Sequence, residues 1–542
     1  MELESISLPA INRFASLYLE QKPPVTDFFH YHLSDEQAYK KRAVDLQGRT
    51  YKREALAACI EEYMEPFPYS KEVSASIEKL KDERSAVVIG GQQAGLLTGP
   101  LYTIYKIISI VQLAERKEKE LNIPVVPVFW IAGEDHDFQE VNHVYIESES
   151  AMKKAAYPER ILEKKMVSDI EYDQKQMASW IHKVFTAFGE TEHTNDLLRS
   201  VLKEAERAKT MTEFFARLIH SLFNKYGLLL IDAAYPTLRK LEQPFFKQLI
   251  EEAPDITEDV LKAQRELAGF DFQRTIDLAD SAANLFVYEQ GNRVLLDYDR
   301  ETDAFLSKSA GIRYSRAELL DLLEEAPERF SNNVVTRPLM QEWLFPTLAF
   351  IAGPGEIAYW AELKYAFERM GMDMPPIAAR LNVTLLERNI ERDLQDLGIP
   401  LDSVLYKGVA AEKEEFWNSV KDDHFHEMIE RVQQSLMTQY EEIEQYAHQF
   451  HKGAIPIVLK NRNFHLEQLQ FLARKTDEII GEKHAAVLRK YSRLQNALRP
   501  ENAPQERMRN VYEYLNKYGT NLVSSLMDID YPFNGQHHVV KL

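Results

Sequence analysis

The residues best suited to catalysis follow one another directly after Gly133: they are Glu134, Asp135, His136 and Asp137. Three carboxylates this close raise one another's pKa, a cost that proteins usually tolerate for the sake of function. His136 is suited to act as a general base, and Asp135 or Asp137 could orient its ring. The segment therefore predicts a catalytic loop, and the alternative is a solvated acidic loop.

A metal site is a second interpretation of the same segment. If a helix began at Asp137, then His136, Glu140 and His143 would follow at i, i+4 and i+7. The H-E-x-x-H motif of zinc enzymes is absent, so we predict no metal-ligating residues and no tightly bound metal. Mg²⁺ held transiently together with a nucleotide fits these side chains better. His143 is kept as a candidate ligand-binding residue.

A glycine-rich segment, GGQQAGLLTGPLYTIYK, runs from Gly90 to Lys106. Glycines let backbone N–H groups approach a ligand, and the start of a helix favours an anion. The G-x-G-x-x-G motif is absent, and Leu96–Leu97 stands where a P-loop has Lys–Ser/Thr. The alternative is a purely structural turn. The candidate ligand-binding residues are Gly91, Gln92, Gln93, Thr98, Gly99, Tyr102 and Lys106.

A third polar segment, GPGEIAYW, begins at Gly353 and contains Glu356 and Tyr359. Glu356 falls in the first turn of a predicted helix, where it would contact a ligand or simply cap the helix. Arg337, Gln341 and Arg380 are predicted near the same edge. Each arginine could clamp a carboxylate or form a structural salt bridge. All six residues are candidates for ligand binding.

These polar segments follow apolar runs that read as buried strands, at Ser85–Ile89, Val125–Ala132 and Leu348–Ala352, and a further run covers Leu228–Ile231. Continuous apolar strands that alternate with helices indicate a parallel sheet covered on both faces. Ligands bind such sheets beyond the carboxyl ends of the strands. The segment from Asn284 to Asp299 differs, because two strands around Gly291–Asn292 predict a β-hairpin.

The last third of the chain predicts two long helices, because apolar residues recur every three or four positions from Ile429 to Phe450 and from Leu466 to Leu498. A breaker at Gly453–Asn461, which contains Pro456, would join them into an antiparallel coiled coil that mediates an oligomer contact. A bundle packed wholly on the core is the alternative. The predicted organisation is a catalytic core at 1–384 with inserts at about 152–226 and 270–330, a coiled-coil arm at 385–500, and a segment at 501–542 that packs back on the core.

Composition limits the function. The chain has 542 residues, 45% of them hydrophobic, with a net charge of −20 and a single cysteine. So acidic a surface repels phosphate backbones, so no nucleic acid is expected as a partner. No apolar run is long enough to span a bilayer and the N-terminus lacks a signal peptide, so no membrane partner and a cytoplasmic location are expected. Cys59 alone can form neither an internal disulfide nor a cysteine-based zinc site, and a buried structural role is predicted for it.

Four of these segments, GQQAGLLTGPLYTIYK, WIAGEDHDFQEVNH, NVVTRPLMQ and GPGEIAYW, resemble the signatures of the BshC family, and the resemblance covers essentially the whole chain. This is the family of the cysteine-adding enzyme of bacillithiol biosynthesis. The resemblance implies a Rossmann-like core similar to class I nucleotidyltransferases, with connecting insertions, and a coiled-coil arm that makes a homodimer. It also implies a reaction that joins the carboxylate of L-cysteine to the amine of glucosaminyl-malate.

We therefore predict an amide-forming ligase with ATP or ADP as cofactor. Amide formation from a free carboxylate needs activation, and the Gly90 to Lys106 loop offers N–H groups and a cation for phosphate. Adenylation of cysteine would place the anion near Thr98 and Gly99. The alternative is that this loop holds the malate carboxylates and any nucleotide binds elsewhere. A rival from another class is a non-catalytic nucleotide- or metabolite-binding scaffold that acts through the coiled coil.

Overall fold

The computed structural model of the chain describes residues 1–148, 151–159 and 163–542. The chain divides into two units, Met1–Leu386 with Gln505–Leu542, and Glu387–Pro504. Residues 160–162 of the predicted insert at 152–226 lie outside the described residues.

The centre of the first unit is a five-stranded sheet in which every neighbouring pair is parallel. All five strands consist mainly of apolar residues that are buried, as expected of a parallel sheet with both faces covered. The four predicted apolar strands all lie in this sheet, so the predicted α/β class with a Rossmann-like core is confirmed. In spatial order the strands are Ile377–Ala379, Thr347–Ala352, Ala86–Gln92, Val125–Ile131 and Leu229–Asp232.

One strand continues further than its sequence predicted. The turn was expected at Gly90–Gly91, but the strand runs to Gln92 and Gly91 pairs with Trp130 on the neighbouring strand. A Cβ at Gly91 would lie 3.1 Å from the Trp130 carbonyl oxygen, so glycine permits this close approach. The strand Ile377–Ala379 was not predicted, because only three residues form it.

Helices pack around this sheet, and the predicted helix after Gly99–Pro100 is confirmed at Leu101–Leu121. The α-helices of the first unit are Arg13–Leu19, Ala38–Gln47, Arg53–Met64, Lys71–Lys81, Leu101–Leu121, Phe138–Val141, Gln174–Phe188, Thr194–Arg207, Met211–Phe223, Pro236–Gly269, Arg316–Glu325, Thr336–Leu344, Pro354–Ala361, Lys364–Arg369, Gln505–Met508, Val511–Tyr518 and Leu522–Met527. Short 3₁₀ helices are Val25–Phe28, Leu96–Thr98, Val167–Asp169, Asn224–Tyr226 and Pro327–Arg329.

A second five-stranded sheet is antiparallel throughout and contains the predicted hairpin. The hairpin turns at Gln290–Gly291, where both residues have positive φ. In spatial order its strands are Ile312–Ser315, Ala304–Ser307, Asn292–Asp299, Ala282–Glu289 and Phe330–Asn332.

Two smaller sheets complete the first unit. In one of them the two ends of the chain meet, because the strand His537–Lys541 pairs with both Glu2–Ile6 and Asn382–Leu386. The other is the antiparallel pair His143–Ser148 and Ala151–Ala156.

The second unit is helical, as the predicted coiled coil requires. Its α-helices are Arg388–Leu397, Leu401–Lys407, Ala410–Val420, Asp423–Phe450, Ile455–Lys483 and Ala485–Leu498, with 3₁₀ helices at Lys452–Ala454 and Pro500–Asn502. The breaker is shorter than predicted, since Pro456 lies in the first turn of the helix that starts at Ile455, where proline costs no hydrogen bond.

The two longest helices of this unit are antiparallel. His426 Nε2 lies 2.8 Å from Asp477 Oδ1, and the Arg462 guanidinium lies 3.3 Å from Glu444. Along the first helix the contacting residue moves from 426 to 444, while its partner on the second helix moves back from 477 to 462. This order defines an antiparallel hairpin. In the part of the chain that the structure describes, no helix is long and apolar enough to cross a membrane.

Candidate active site

A cavity of about 590 Å³ opens at the carboxyl ends of the central strands. This is the edge at which open parallel sheets bind ligands, and the volume lies in the range of small-molecule sites. The segments after three strands meet there although they are far apart in the chain. The predicted site residues that line the cavity are Gly91, Gln92, Gln93, Tyr102, Lys106, Glu134, Asp135, His136, Arg337, Gly353, Glu356, Tyr359 and Arg380.

Lys106 is the most buried cation of this cavity, at 1% exposure. Its ammonium group donates to the Gly91 carbonyl at 2.7 Å and lies 2.6 Å from Glu356 Oε2. Burial lowers the Lys106 pKa, and the Glu356 carboxylate acts in the opposite direction. The same Glu356 oxygen accepts the Gly353 N–H at 2.7 Å. Glu356 therefore caps the start of its helix and also neutralises the charge of Lys106.

Arg337 lies on the helix Thr336–Leu344, and its hydrogen bonds go to neutral side chains. It donates to Gln341 Oε1 at 3.0 Å and to the Tyr359 hydroxyl. Burial raises the pKa of Tyr359 to about 12, so this hydroxyl stays neutral near pH 7. No carboxylate lies within ion-pair distance of Arg337 in the described residues, which leaves its charge available to an anionic ligand.

Arg380 is 5% exposed and forms two hydrogen bonds with Glu506, at 2.9 and 2.6 Å. A bidentate pair of this kind holds the guanidinium plane in one orientation. The Arg380 guanidinium lies 5.7 Å from the Tyr102 ring centre. The neighbouring Arg507 also lines the cavity and has an exposed side chain.

His136 is held by an arginine that the sequence did not point to. Arg293, from the hairpin strand Asn292–Asp299, lies with Nη1 3.2 Å from His136 Nδ1 and stacks 3.7 Å from the Phe286 ring centre. A guanidinium can only donate, so Nδ1 accepts and the proton of the neutral ring sits on Nε2. Burial and the Arg293 charge both lower the His136 pKa, so the ring is neutral near pH 7.

Asp135 lies beside this pair and is fixed by two donors. Its Oδ2 accepts from Gln93 Nε2 at 2.7 Å, and its Oδ1 accepts from the His136 backbone N–H at 2.7 Å. Its side chain is 35% exposed and lies 3.9 Å from Arg293 Nη1. Asp135 is therefore an oriented carboxylate in the cavity wall.

Glu134 points into a buried ion network. Its carboxylate binds Arg239 and accepts the Asn332 backbone N–H at 3.2 Å, and Arg239 also binds Glu242 at 2.7 Å. All four residues are at most 3% exposed. Burial raises the pKa of Glu242 to about 7. In this position Glu134 ties the central sheet to the strand that carries Asn332.

Thr98 and Gly99 do not line the cavity. Both have positive φ and are buried, and Asn510 donates to the carbonyl oxygens of Leu97 and Gly99 at 2.8 Å each. The first helical N–H, that of Leu101, donates to the Arg509 carbonyl at 2.9 Å. This part of the glycine-rich loop is therefore bonded to the C-terminal segment of the chain.

Three further predicted residues lie outside the cavity lining. Asp137 is exposed ahead of the short helix Phe138–Val141, and Gln341 is buried beside Arg337. His143 begins a strand, and burial lowers its pKa to about 4. Because that helix ends before His143, the residues weighed for a metal do not share one helical face. Within the described ranges no group of three His, Cys, Asp or Glu side chains is placed to hold a metal ion.

The cavity is cationic although the protein carries a net charge of −20. Five cationic and three acidic side chains line it, and a local field of this sign attracts anionic ligands. Motif reasoning missed several lining residues, because they follow no recognisable spacing and lie in the second sheet or near the C-terminus. These residues are Phe286, Arg293, Asn332 and Arg507, and Trp130 was missed because it lies within an apolar central strand.

A parallel sheet with a ligand cavity at its carboxyl edge, joined in sequence to a helical hairpin, defines a Rossmann-like protein with a coiled-coil domain. The family model "Bacillithiol biosynthesis BshC, N-terminal Rossmann-like domain" matches residues 1–381, and "Bacillithiol biosynthesis BshC, C-terminal coiled-coil domain" matches residues 383–542. The chain belongs to the BshC family.

Curated relatives agree along the full length. Proteins named "Putative cysteine ligase BshC" are 42% identical over 541 residues in Geobacillus sp. (strain WCH70), 43% over 542 in Anoxybacillus flavithermus and 42% over 542 in Bacillus licheniformis. In each case 100% of both chains is covered. The resemblance stated from the four sequence motifs is thereby confirmed.

Proposed function

We propose that this protein is a cysteine ligase that joins the carboxylate of L-cysteine to the amine of glucosaminyl-malate and so forms an amide in bacillithiol biosynthesis. The names of its relatives support the ligase activity. The observation that carries the proposal is the cationic cavity at the strand ends of an otherwise strongly acidic protein. A substrate with two malate carboxylates matches that charge.

Arg337 and Arg507 are the proposed carboxylate-binding residues. The hydrogen bonds of Arg337 go to neutral groups, and Arg507 forms no ion pair among the described residues. Arg380 is already held by Glu506 at 2.6 Å, so its proposed role is to position this wall. A guanidinium binds a carboxylate through two parallel hydrogen bonds, which would orient the malate group.

His136 and Asp135 are the proposed catalytic residues. The amine attacks the carbonyl carbon of the activated cysteine, and the activating group leaves with the electron pair of the bond that breaks. With its proton on Nε2, the neutral His136 ring donates a hydrogen bond to the carbonyl oxygen, on which negative charge develops during the attack. Asp135 is an oriented carboxylate in the same wall and accepts the proton that the amine loses. Arg293 holds the His136 ring in this state through the 3.2 Å contact at Nδ1.

ATP remains the proposed source of activation, because a free carboxylate and an amine do not condense spontaneously in water. The proposed phosphate position near Thr98 and Gly99 is disfavoured, since the Gly99 N–H donates to the Leu96 carbonyl and the Leu101 N–H donates to the Arg509 carbonyl. No metal-binding cluster supports Mg²⁺ in the described residues. We therefore assign the cavity to glucosaminyl-malate and place the nucleotide outside it.

Calorimetry tests this assignment with the Lys106→Ala variant. Lys106 and Glu356 organise the cavity floor, so the variant is expected to lose affinity for glucosaminyl-malate and to keep its affinity for ATP or ADP.

The function itself is tested in a deletion strain by mass spectrometry of thiols. Expression of the wild-type chain is expected to restore bacillithiol and to remove accumulated glucosaminyl-malate. A folded wild-type chain that restores no bacillithiol contradicts the proposal.

We also propose a homodimer through the coiled coil. Both long helices of the second unit leave large apolar side chains exposed, among them Tyr446 at 68%, Phe450 at 75% and Ile457 at 71%. Contiguous exposed apolar residues on a helical hairpin are typical of an interaction surface. A second copy of the same chain is the proposed partner.

A further inference from the structure

Asn332 has a buried amide without a hydrogen-bond partner. The residue is 1% exposed and lies in the cavity wall, at the end of the strand Phe330–Asn332. Among the described residues neither its Nδ2 nor its Oδ1 has a partner. Buried polar side chains are nearly always hydrogen-bonded, so an unpaired amide on a residue of the cavity wall needs an explanation.

The backbone of Asn332 is held from both sides. Its N–H donates to Glu134 at 3.2 Å, and its carbonyl oxygen accepts from the Arg293 guanidinium. Glu134 is held in turn by Arg239. The chain therefore fixes this residue in place with two charged groups while leaving its side-chain amide unbonded, which is the arrangement of a preorganised binding group.

Trp130 is a second unpaired polar group in the same cavity. Its side chain is fully buried, and its indole N–H has no partner in the part of the chain that the structure describes. Gly91 lies directly against it, since a Cβ there would be 3.4 Å from Trp130 Cδ1. Two unsatisfied neutral groups thus lie in the wall of the same cavity.

The chemistry of these groups selects a neutral ligand group. An amide offers a donor and an acceptor side by side, and an indole offers a donor only. Carboxylates would go to the guanidinium groups, because charge-assisted hydrogen bonds are stronger. A pair of neighbouring hydroxyl groups can both donate and accept, which complements the amide.

We propose that Asn332, together with Trp130, recognises the neighbouring 3- and 4-hydroxyl groups of the amino sugar and so determines specificity for a sugar-linked substrate. This inference rests on the proposed function. In glucosaminyl-malate, carbon 1 carries malate and carbon 2 carries the reacting amine. The 3- and 4-hydroxyls are therefore the adjacent neutral pair.

A thermodynamic cycle tests the assignment by calorimetry on the full chain. The two proteins are wild type and Asn332→Leu, and the two probes are glucosaminyl-malate and its 3,4-dideoxy analogue. For wild type, removal of both hydroxyls is expected to weaken binding about tenfold or more, because the amide is then left unpaired. In Asn332→Leu the difference in affinity between the two probes is expected to shrink to the several-fold contribution that Trp130 still makes. If the ratio of the affinities for the two probes is the same in Asn332→Leu as in wild type, the inference is overturned.

Thermal melting without ligand separates a binding role from a structural one. Asn332→Leu is expected to melt at the same or a higher temperature, since it removes an unpaired buried amide. Asn516→Leu is the matched control: Asn516 is also buried, but its amide donates to the Gly189 carbonyl at 2.9 Å and accepts from Thr194 at 2.7 Å. The control is expected to melt lower and to keep wild-type discrimination between the probes.

Trp130→Phe keeps the inference testable if Asn332→Leu does not fold. It deletes one N–H from the cavity, and a several-fold smaller discrimination between the probes is expected. Unchanged discrimination contradicts the role of Trp130 and with it the subsite. If wild type binds neither probe, the proposed function fails. If wild type binds both probes with equal affinity, the proposed function stands and the hydroxyl subsite is contradicted.

Discussion

The Lys106 ammonium group lies 2.6 Å from the Glu356 carboxylate, and this contact joins two motifs that are 250 residues apart in the chain. Lys106 belongs to the helix after one central strand, and Glu356 belongs to the helix after the adjacent strand. The pair therefore closes the floor of the cavity where these two strands end.

Replacing one member of this pair is expected to destabilise the protein. Lys106→Met leaves the Glu356 charge without its partner, at a cost of roughly 3 kcal/mol. The double variant Lys106→Met with Glu356→Gln removes both charges and is expected to recover most of the melting temperature without recovering activity. Thermal melting and thiol measurement in a deletion strain provide the two readouts. A double variant that melts no higher than Lys106→Met would show that the pairing is not what stabilises this floor.

The catalytic proposal separates Asp135 and His136 from Glu134. His136→Ala and Asp135→Asn are expected to melt near the wild-type temperature, because these side chains lie at a partly exposed strand end. Each is expected to reduce the rate by about 100-fold or more. Wild-type thiol levels from folded variants would remove both residues from the proposed mechanism.

Glu134→Gln is expected to behave differently from its neighbours. It leaves the buried Arg239 with Glu242 alone, and loss of one member of a buried ion network costs roughly 3–5 kcal/mol. A clearly lower melting temperature than that of wild type is therefore expected. Asp135→Asn is the control, because it also replaces a carboxylate with the corresponding amide. Equal melting temperatures for the two variants would contradict a structural role for Glu134.

Asp232 makes stability depend on pH. Burial raises the pKa of Asp232 to about 6, above its usual value near 4. The folded protein therefore binds this proton more tightly than the unfolded chain does. The associated stability is fully present below about pH 4 and is lost as the pH rises through about 6.

Asp232→Asn removes this titration and is the variant that tests it. Relative to wild type, the variant is expected to be about 2 kcal/mol more stable at pH 7 than at pH 4. Melting curves of both proteins across this range measure the difference, and comparison within each pH cancels the other titrating groups. A difference that does not vary with pH would place the Asp232 pKa near its ordinary value.

The proposed dimer predicts a loss of association when the exposed apolar residues of the helical hairpin become charged. Phe450→Glu with Ile457→Glu is expected to give a monomer without loss of helix, because both side chains are exposed. Deletion of residues 413–499 is expected to give a monomer as well. Light scattering measures the mass, and Tyr69→Glu, at an equally exposed site of the first unit, is the control. A wild-type chain that is monomeric at micromolar concentration contradicts the proposal.

The sequence by itself determined the central sheet and the coiled coil, because both depend on local patterns. Apolar runs that end in glycine specify buried parallel strands, and a three-to-four-residue apolar spacing specifies the long helices. It also indicated that the ends of three strands carry polar residues, and the structure places thirteen of the predicted site residues around one cavity.

Tertiary structure alone decided what each polar side chain does. Glu134 and Asp135 are adjacent in sequence, yet the Glu134 side chain is buried against Arg239 whereas the Asp135 side chain is 35% exposed. Arg293 and Asn332 reach the cavity from a second sheet, and no spacing in the sequence predicts that they line it. The reason is physical: a charge or amide acquires its role from the partner that packing brings to it, and those partners lie tens to hundreds of residues away.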